Sequence, residues 1–268
     1  MKTANTLPET EKIREFVRER YGAIAEQSDE SCGCKATGCC GGGQENYAEK
    51  LGYSAAELAA VPEGADLGLG CGNPLAIASI RPGEVVLDLG SGAGFDCFLA
   101  ARQLAGTGRA IGVDMTPAMI TKARTNAAKA GFANVEFRLG EIEALPVADA
   151  SVDLILSNCV INLSPEKGRV FREAFRVLKP GGRLAIADVV ATRPLPDTLR
   201  RKLSAIGACI GGATPVDELR TLLAAAGFAR IDIALKESSR EYVRHWTDDA
   251  TAGDFVVSAL VTAYKPAA

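Results

Sequence analysis

The sequence lacks the features that mark a nucleic-acid, membrane or exported protein. Its 268 residues carry 30 lysines and arginines against 33 acidic residues, and the basic residues form no block, which argues against a nucleic-acid surface. No apolar run is long enough to cross a bilayer, and residues 1–10 are polar rather than a secretory leader. We therefore expect a cytoplasmic protein with no nucleic-acid partner and no membrane partner.

Histidine and aromatic residues are also scarce. The single histidine, His245, lies in a charged C-terminal stretch, and aromatic residues make up 6% of the chain. A reaction that needs a histidine as general base therefore has one candidate. Eight cysteines stand out against this background. In a reducing compartment, cysteines serve metal, metalloid or redox chemistry more often than they form structural disulfides.

From residue 84 onward, apolar strands alternate with helices. We predict strands at 85–89, 109–114, 135–139, 152–157, 183–188 and 255–263, and helices at 95–104, 117–131, 165–178, 197–208 and 216–226. This alternation predicts an α/β fold with a mostly parallel sheet and helices on both faces. Apolar residues at helical spacing predict a further helix at about 11–25, whose Arg14 is expected to face solvent.

A glycine-rich turn connects the first of these strands to its helix. The run Asp88-Leu89-Gly90-Ser91-Gly92-Ala93-Gly94 lets the backbone approach a ligand closely, and the helix that follows points its free N–H groups there. Phe95 replaces the third glycine of a NAD-binding turn. Asp114 ends the next strand, where a carboxylate can accept both ribose hydroxyls of a nucleoside. The third strand is followed by Gly140-Glu141-Ile142, placed to flank an adenine ring.

Together, Val85–Gly94, Asp114, Gly140–Ile142 and Leu178–Gly182 resemble the class I S-adenosylmethionine-dependent methyltransferases. The resemblance covers about residues 65–190 and implies a Rossmann-like sheet of seven strands with one antiparallel strand near its edge. It also implies that S-adenosylmethionine is bound by Asp88, Gly90, Ser91, Gly92, Gly94, Asp114, Met115, Gly140, Glu141, Ile142 and Asn158.

The chain divides into three regions on this interpretation. We expect an N-terminal helical and cysteine-rich segment at 1–64, the cofactor-binding core at 65–192, and a small α+β region at 193–268 that completes the sheet on the substrate side.

Three cysteine motifs narrow the resemblance. The segments Gly70–Pro74, Asn158–Asn162 and Cys209–Ala213 are similar to arsenite S-adenosylmethionine methyltransferases, within a match that runs from about residue 47 to residue 212. This implies that trivalent arsenic is bound by Cys71, Cys159 and Cys209. The family has a further upstream thiol that forms a disulfide with the Cys71 position. Cys39 and Cys40 are the nearest candidates, and Cys32 and Cys34 lie further off.

The chemistry of arsenic agrees with this resemblance. Trivalent arsenic is soft and prefers thiolates, and three sulfur ligands leave it a lone pair that can attack a sulfonium methyl group without a general base. After transfer the arsenic is pentavalent, and two cysteines can reduce it by forming a disulfide. A cellular reductant of the glutathione or thioredoxin type then reopens that disulfide. Either arsenite or its thiol conjugate can be the substrate.

Two other functions fit parts of the sequence. The chain could methylate a small carbon or oxygen nucleophile, such as a quinone or sterol precursor, with its cysteines incidental. It could also be a non-catalytic, thiol-rich protein that binds metalloids. A zinc site at Cys32, Cys34, Cys39 and Cys40 is a further alternative, although their spacing differs from the usual C-x-x-C pairs. Cys97 is expected to be a small buried hydrophobic residue rather than a ligand.

Overall fold

The computed structural model describes residues 10–27, 47–249 and 251–267. The strands in these ranges are β1 (Val85–Leu89), β2 (Arg109–Asp114), β3 (Val135–Leu139), β4 (Val152–Asn158), β5 (Leu178–Ala191), β6 (Thr214–Pro215), β7 (Ala229–Lys236) and β8 (Val256–Tyr264). The helices are α1 (Thr10–Gln27), α2 (Tyr47–Leu51), α3 (Ala55–Ala60), α4 (Leu75–Ala78), α5 (Phe95–Gln103), α6 (Pro117–Ala130), α7 (Lys167–Val177), α8 (Asp197–Arg200), α9 (Leu203–Gly207), α10 (Val216–Ala225) and α11 (Arg240–Val243). Short 3-10 helices cover Ile161–Leu163, Glu237–Ser239 and Ala252–Asp254.

Local sequence signals account for several helix ends. Ser54 Oγ accepts a hydrogen bond from the Glu57 backbone N–H, and the Ser54 backbone N–H donates to the Glu57 carboxylate, which together form a capping box before α3. Pro117 begins α6 at a position where its missing N–H costs nothing. The same helix ends at Gly131, whose φ of +70° suits glycine.

The strands form one sheet in the order β3-β2-β1-β4-β5-β8-β7, with β6 paired to β5 beside this path. Strands β1 to β5 pair in parallel, and β8 runs antiparallel to both of its neighbours, β5 and β7. The mostly parallel sheet with one antiparallel strand near its edge is therefore confirmed. After β1 the chain adds β2 and β3 on one side of that strand, and it then returns to add β4 on the other side of β1. Ligands bind at the carboxyl ends of strands at such a switch point.

Each face of the sheet has its own apolar core, because neighbouring residues of a strand point to opposite faces. On one face, Leu87 of β1 packs in a cluster with Phe171 of α7. On the other face, Val86 packs in a cluster with Phe98 of α5. The helices cover both faces as the alternation of strands and helices predicted, so the carboxyl edge of the sheet is left for the functional site.

The structure differs from the sequence prediction in the C-terminal third. The helix predicted at 197–208 is interrupted between α8 and α9, because the turn there brings both Leu199 and Ala205 into the apolar cluster around Cys71. Strand β5 is longer than predicted, since β8 pairs with it from Arg183 to Ala191. Strand β7 was not predicted because most of its residues are exposed and form no apolar run. No helix within the described ranges is long and apolar enough to cross a membrane.

Candidate functional site

The glycine-rich turn lies at the switch point, between the end of β1 and the start of α5. Gly90, Gly92 and Gly94 have φ values of +68°, +51° and +99°, which side chains rarely tolerate. A Cβ atom at Gly90 would overlap Val160, and one at Gly94 would lie 2.6 Å from Phe98. The left-handed backbone conformation and the close contacts with Val160 and Phe98 therefore require glycine at Gly90 and Gly94.

The surface of this turn leaves room and polar atoms for a ligand. A Cβ atom at Gly92 would have no neighbour closer than Met119 Sδ at 4.0 Å. Ser91 Oγ is buried and has no hydrogen-bond partner within the described part of the chain. Asp114, at the end of β2, accepts hydrogen bonds from the backbone N–H of Gly92 at 3.0 Å and of Thr116 at 2.8 Å. These features fit the amino acid and ribose portions of S-adenosylmethionine.

Buried carboxyl groups surround the turn. Burial raises the pKa of Asp96, in the first turn of α5, to about 6, and that of Asp88 well above its usual range. Burial also raises the pKa of Asp114. A cationic ligand would favour the ionised form of all three groups. The electrostatics of the turn therefore suit a molecule that carries ammonium and sulfonium charges.

The other predicted cofactor residues lie around the same edge of the sheet. Gly140 follows β3, and its N–H donates to the Asp114 carbonyl oxygen at 3.0 Å. Ile142 is buried in a core cluster, and Met115 packs beside Cys209. Glu141 lies 3.7 Å from the Arg14 guanidinium. The carboxylate of Glu141 is thus engaged with α1.

The three cysteines predicted to bind arsenic converge beside the glycine-rich turn. The sulfur atoms of Cys71 and Cys159 and a carboxylate oxygen of Asp188 all lie within 4.8 Å of one another. The Cys209 thiol donates to the Cys159 carbonyl oxygen at 2.9 Å. All three are free thiols; Cys71 and Cys209 are buried and Cys159 is partly exposed. The structure therefore brings together three cysteines from segments far apart in the sequence, with the sulfur atoms of Cys71 and Cys159 close to one another and the Cys209 thiol against the Cys159 backbone.

Unusual backbone geometry produces this convergence. Cys159 and Cys209 adopt φ values of +57° and +62°, a left-handed conformation that is uncommon for residues other than glycine. A Cβ atom at Gly212 would overlap the Asn162 carbonyl oxygen, so only glycine allows the loop after Cys209 to approach the turn after Cys159. Strained cysteines next to an obligatory glycine are typical of a functional site.

Burial keeps the thiols of Cys71 and Cys159 protonated when no ligand is bound. Burial is the main cause that raises the pKa of Cys71 to about 11 and that of Cys159 well above the ordinary thiol value. The neighbouring thiols of Cys209 and Cys71 raise the pKa of Cys159 further. A ligand that replaces the protons with a trivalent centre would remove this penalty, because three thiolates on such a centre carry no net charge.

Asn158, predicted to bind the cofactor, holds the Cys71 loop. Its Oδ1 accepts from the Cys71 backbone N–H at 3.0 Å, and its Nδ2 lies 2.9 Å from the Gly72 carbonyl oxygen. The same Nδ2 lies 3.0 Å from the Tyr53 hydroxyl and 3.2 Å from Asp96 Oδ2. Tyr53 in turn donates to Asp96 at 2.6 Å. One buried network therefore joins the helix after the glycine-rich turn to the loop that carries Cys71.

Asp188 orients the turn that follows Cys159. Its two carboxylate oxygens accept from the backbone N–H groups of Ile161, Asn162 and Val189 and from the Asn162 side chain, at 2.8–3.3 Å. An ionised carboxylate has about four acceptor positions, so these four bonds occupy them. Burial raises the pKa of Asp188 to about 6. Asp188 is therefore a positioning residue rather than a further ligand in this arrangement.

Helix α1 covers the site, and its Arg14 is not a solvent-facing residue as predicted. The Arg14 guanidinium lies 2.7 Å from Glu166 and 3.4 Å from Glu143, in addition to its contact with Glu141, and only 14% of the side chain is exposed. Ile13 and Val17 of the same helix pack in one cluster with Cys209. The prediction failed because the paired carboxylates come from two distant loops, which local periodicity does not reveal.

The remaining five cysteines are Cys97 and the four of the N-terminal segment. Cys97 is buried, as predicted, and its thiol donates to Asp88 Oδ2 at 3.5 Å. The candidates for the upstream thiol, Cys39 and Cys40, lie outside the described residues, as do Cys32 and Cys34.

Several side chains of the site carry no sequence motif that identifies them. Tyr53 and Asp96 become partners only through the fold, and Asp188 is separated from Cys159 by a helix and most of a strand. Asp188 did offer one signal, since a charged residue in an otherwise apolar strand is costly unless it is paired.

Known proteins are similar to this chain in sequence and in fold. A family described as "Methyltransferase domain" matches residues 80–227. An arsenite methyltransferase from Halobacterium salinarum is 53% identical, over 96% of this chain and 68% of its own length. An arsenite methyltransferase from Aquipseudomonas alcaligenes is 40% identical, over 81% of this chain and 62% of its own length. The chain thus spans about two thirds of the length of these two relatives.

A solved structure agrees with the sequence relatives. The crystal structure of CrArsM, an arsenic(III) S-adenosylmethionine methyltransferase from Chlamydomonas reinhardtii, superposes with a TM-score of 0.62 at 32% sequence identity. The match covers 84% of this chain and 75% of that one.

Proposed function

The chain belongs to the arsenite methyltransferases, a family of S-adenosylmethionine-dependent methyltransferases, and on this premise we propose that it methylates trivalent arsenic held by Cys71, Cys159 and Cys209. The observation that carries the proposal is the convergence of these three cysteines at the switch point, beside the glycine-rich turn. Three thiolates match the preference of a soft trivalent centre, and oxygen or carbon nucleophiles would have no use for them.

S-adenosylmethionine, when bound, supplies an electrophilic methyl group on a sulfonium sulfur. The residues that would hold it are the glycine-rich turn, with Ser91 and Asp114 as polar contacts, and the segment after β3 would flank the adenine. Asp88 and Asp96 would balance its positive charge. Asn158 connects this side of the site to the Cys71 loop, so the cofactor and the arsenic ligands are positioned by one network.

The protein's contribution is placement rather than proton transfer. Each thiol proton leaves with an arsenic hydroxyl as water when arsenite binds, so three thiols and one arsenite give three waters and a neutral complex. The arsenic lone pair is then the nucleophile, and it has no proton to lose. Ile13 and Val17 of α1 pack in one cluster with Cys209 and would limit the access of water to this side of the site. The scarcity of histidine is compatible with such a reaction.

Reduction of the methylated arsenic completes the cycle. We assign it to Cys71 together with Cys39 or Cys40: the free thiol attacks the arsenic-bound sulfur of Cys71 and releases its proton, and a disulfide forms. The bond between arsenic and Cys71 breaks with its electron pair left on arsenic, which returns to the trivalent state. A reductant of the glutathione or thioredoxin class then restores the thiols, which a reducing compartment such as the cytoplasm provides. The surplus of cysteines in the N-terminal segment motivates this assignment.

A labelling experiment tests the methyl transfer. The protein is incubated with methyl-labelled S-adenosylmethionine, arsenite, glutathione and a thioredoxin system, and the arsenicals are separated by chromatography. We expect label in methylated arsenic, and a loss of about 100-fold or more in Cys159→Ser, because one displaced ligand misaligns the nucleophile. The matched control is Cys97→Ser, which keeps a donor for Asp88 outside the thiol site. Equal activity of Cys159→Ser and the control would contradict the proposal.

A second experiment tests the reduction step. In the double variant Cys39→Ser/Cys40→Ser, a single turnover should persist while repeated turnover with the thioredoxin system stalls. Repeated turnover at the wild-type rate would show that neither cysteine takes part. Replacing Cys32 and Cys34 with serine provides the comparison, since these residues are the more distant candidates.

A further inference from the structure

Three aromatic side chains form a wall beside Cys71. This aromatic wall consists of Tyr47 from α2, Tyr242 from α11 and Trp246, which follows α11 closely in the sequence. The rings of Tyr47 and Tyr242 meet edge to face with centroids 6.3 Å apart, and those of Tyr242 and Trp246 lie 6.0 Å apart. In a chain with 6% aromatic residues, such a cluster at the site calls for a specific role.

The aromatic wall is joined to the loop that carries Cys71. The Tyr47 hydroxyl donates to the Gly70 carbonyl oxygen at 3.1 Å, and the Tyr242 hydroxyl donates to the Cys71 carbonyl oxygen at 3.2 Å. Tyr242 and Trp246 pack against the same apolar cluster as Cys71 and the partly exposed Cys159. The wall therefore lines the Cys71 side of the thiol site, whereas Cys209 packs on the opposite side beneath α1.

The chemistry of methylated arsenic gives this wall a ligand. Trivalent arsenic that already carries one methyl group has only two positions left for thiolates. When it binds two cysteines, two thiol protons leave with its two hydroxyls as two waters. Cys71 is the ligand that becomes unavailable when it enters the disulfide, so Cys159 and Cys209 remain. The methyl group then takes the place of the third sulfur, on the side that the aromatic wall lines.

We propose that the aromatic wall binds the methyl group of monomethylated trivalent arsenic and thereby retains this species for a second methyl transfer. The inference rests on the proposed function and extends it to the product. An apolar surface favours a methyl group over the hydroxyl or sulfur that inorganic arsenic presents there. Trp246 is the residue to substitute, because the two tyrosine hydroxyls are engaged with the Cys71 loop, whereas the Trp246 side chain hydrogen-bonds to Tyr47 within the wall and packs against the apolar cluster of Cys71.

Trp246 also provides the measurement, since it is the only tryptophan of the chain. Its fluorescence is recorded while the protein is titrated with methylarsonous acid and, separately, with arsenite. We expect the larger emission change with methylarsonous acid. In parallel, equilibrium dialysis with elemental detection of arsenic gives the affinity of wild type and Trp246→Ala for both compounds. Wild type and Trp246→Ala have the same N-terminal cysteines. A difference in arsenical affinity between the two proteins is therefore caused by the change in the aromatic wall.

We expect the affinity of Trp246→Ala for methylarsonous acid to fall about fivefold more than its affinity for arsenite, the effect of losing the contact with one methyl group. The ratio of dimethylated to monomethylated product should fall with it. Trp246→Phe should restore most of this selectivity, which separates the methyl contact from a general loss of structure. The matched control is Phe132→Ala, since Phe132 packs on Phe98 away from the thiols, and it should change both affinities equally.

Equal losses for both arsenicals in Trp246→Ala would overturn the proposal, as would a product ratio that does not change. Absence of any emission change in wild type despite binding in dialysis would also overturn it. Failure of the proposed function gives a different result, because wild type would then transfer no methyl group to arsenite. Dialysis and fluorescence would still show whether the aromatic wall favours methylarsonous acid over arsenite.

Discussion

Replacing Asn158 with alanine should loosen the Cys71 loop and weaken arsenite binding. The Asn158 side chain accepts one hydrogen bond from the Cys71 backbone and shares its two amide hydrogens among Gly72, Tyr53 and Asp96. At most three hydrogen bonds can form at once, each worth about 1 kcal/mol net, so we expect the free energy of unfolding to fall by about 3 kcal/mol.

The functional effect should depend on the number of thiolates that the ligand needs. On the proposed function, arsenite binds Cys71 and should bind Asn158→Ala less tightly. On the proposed role of the aromatic wall, methylarsonous acid binds Cys159 and Cys209 and should lose less affinity. Urea unfolding gives the stability, and equilibrium dialysis gives the two affinities. Asn134→Ala is the matched control, because the Asn134 side chain makes one hydrogen bond, to the Ala101 carbonyl oxygen at 3.0 Å. This variant should lose about 1 kcal/mol and bind arsenite normally.

Two results would refute this reasoning. One is a stability loss in Asn158→Ala no larger than that of the control. The other is an unchanged affinity for arsenite accompanied by weaker binding of S-adenosylmethionine, which would assign Asn158 to the cofactor alone.

Three further predictions concern the turn, the buried carboxyls and α1. Gly90→Ala should abolish S-adenosylmethionine binding in calorimetry and destabilise the fold by about 3 kcal/mol, through a left-handed residue and overlap with Val160; normal binding would contradict this. Because burial raises the pKa of Asp96 and Asp188 to about 6, the native state holds protons that the unfolded state releases between pH 4 and 6. Stability should therefore fall by about 1 kcal/mol per carboxyl from pH 5 to pH 7, and Asp96→Asn should flatten that slope in urea titrations; a rise would refute it. Arg14→Met should speed amide hydrogen exchange throughout α1, because the helix loses its ion pairs with Glu143 and Glu166. Unchanged amide exchange would show that apolar packing alone holds the helix in place.

Regular local patterns made most of the sheet predictable. The apolar run before Asp88 and the glycines after it indicate strand, turn and helix within a few residues of each other. Pro117 and Gly131 mark both ends of α6. These signals lie within short segments, so they can be recognised in the sequence without knowing which elements pack together. Strand β7 had no such signal, because an exposed edge strand needs no apolar run, and its pairing with β8 is a long-range contact.

The candidate site was predictable only in part. Cysteine and glycine motifs pointed to Cys71, Cys159 and Cys209 through their resemblance to a family, and the structure brings these residues together. The burial of Arg14, the network from Tyr53 to Asp96 and the aromatic wall had no comparable signal. Each depends on side chains that come together from distant segments of the chain.

The sequence by itself determined the parallel sheet, the glycine-rich turn at the end of β1 and the supply of thiols, because strand periodicity, glycine freedom and sulfur chemistry are properties of short segments. The tertiary structure decided that Cys71, Cys159 and Cys209 come close to one another. Their convergence depends on the order of β1, β4 and β5 in the sheet, on left-handed cysteines and on the close approach allowed by Gly212. These are contacts between distant segments, and their free energy appears only when the chain is folded.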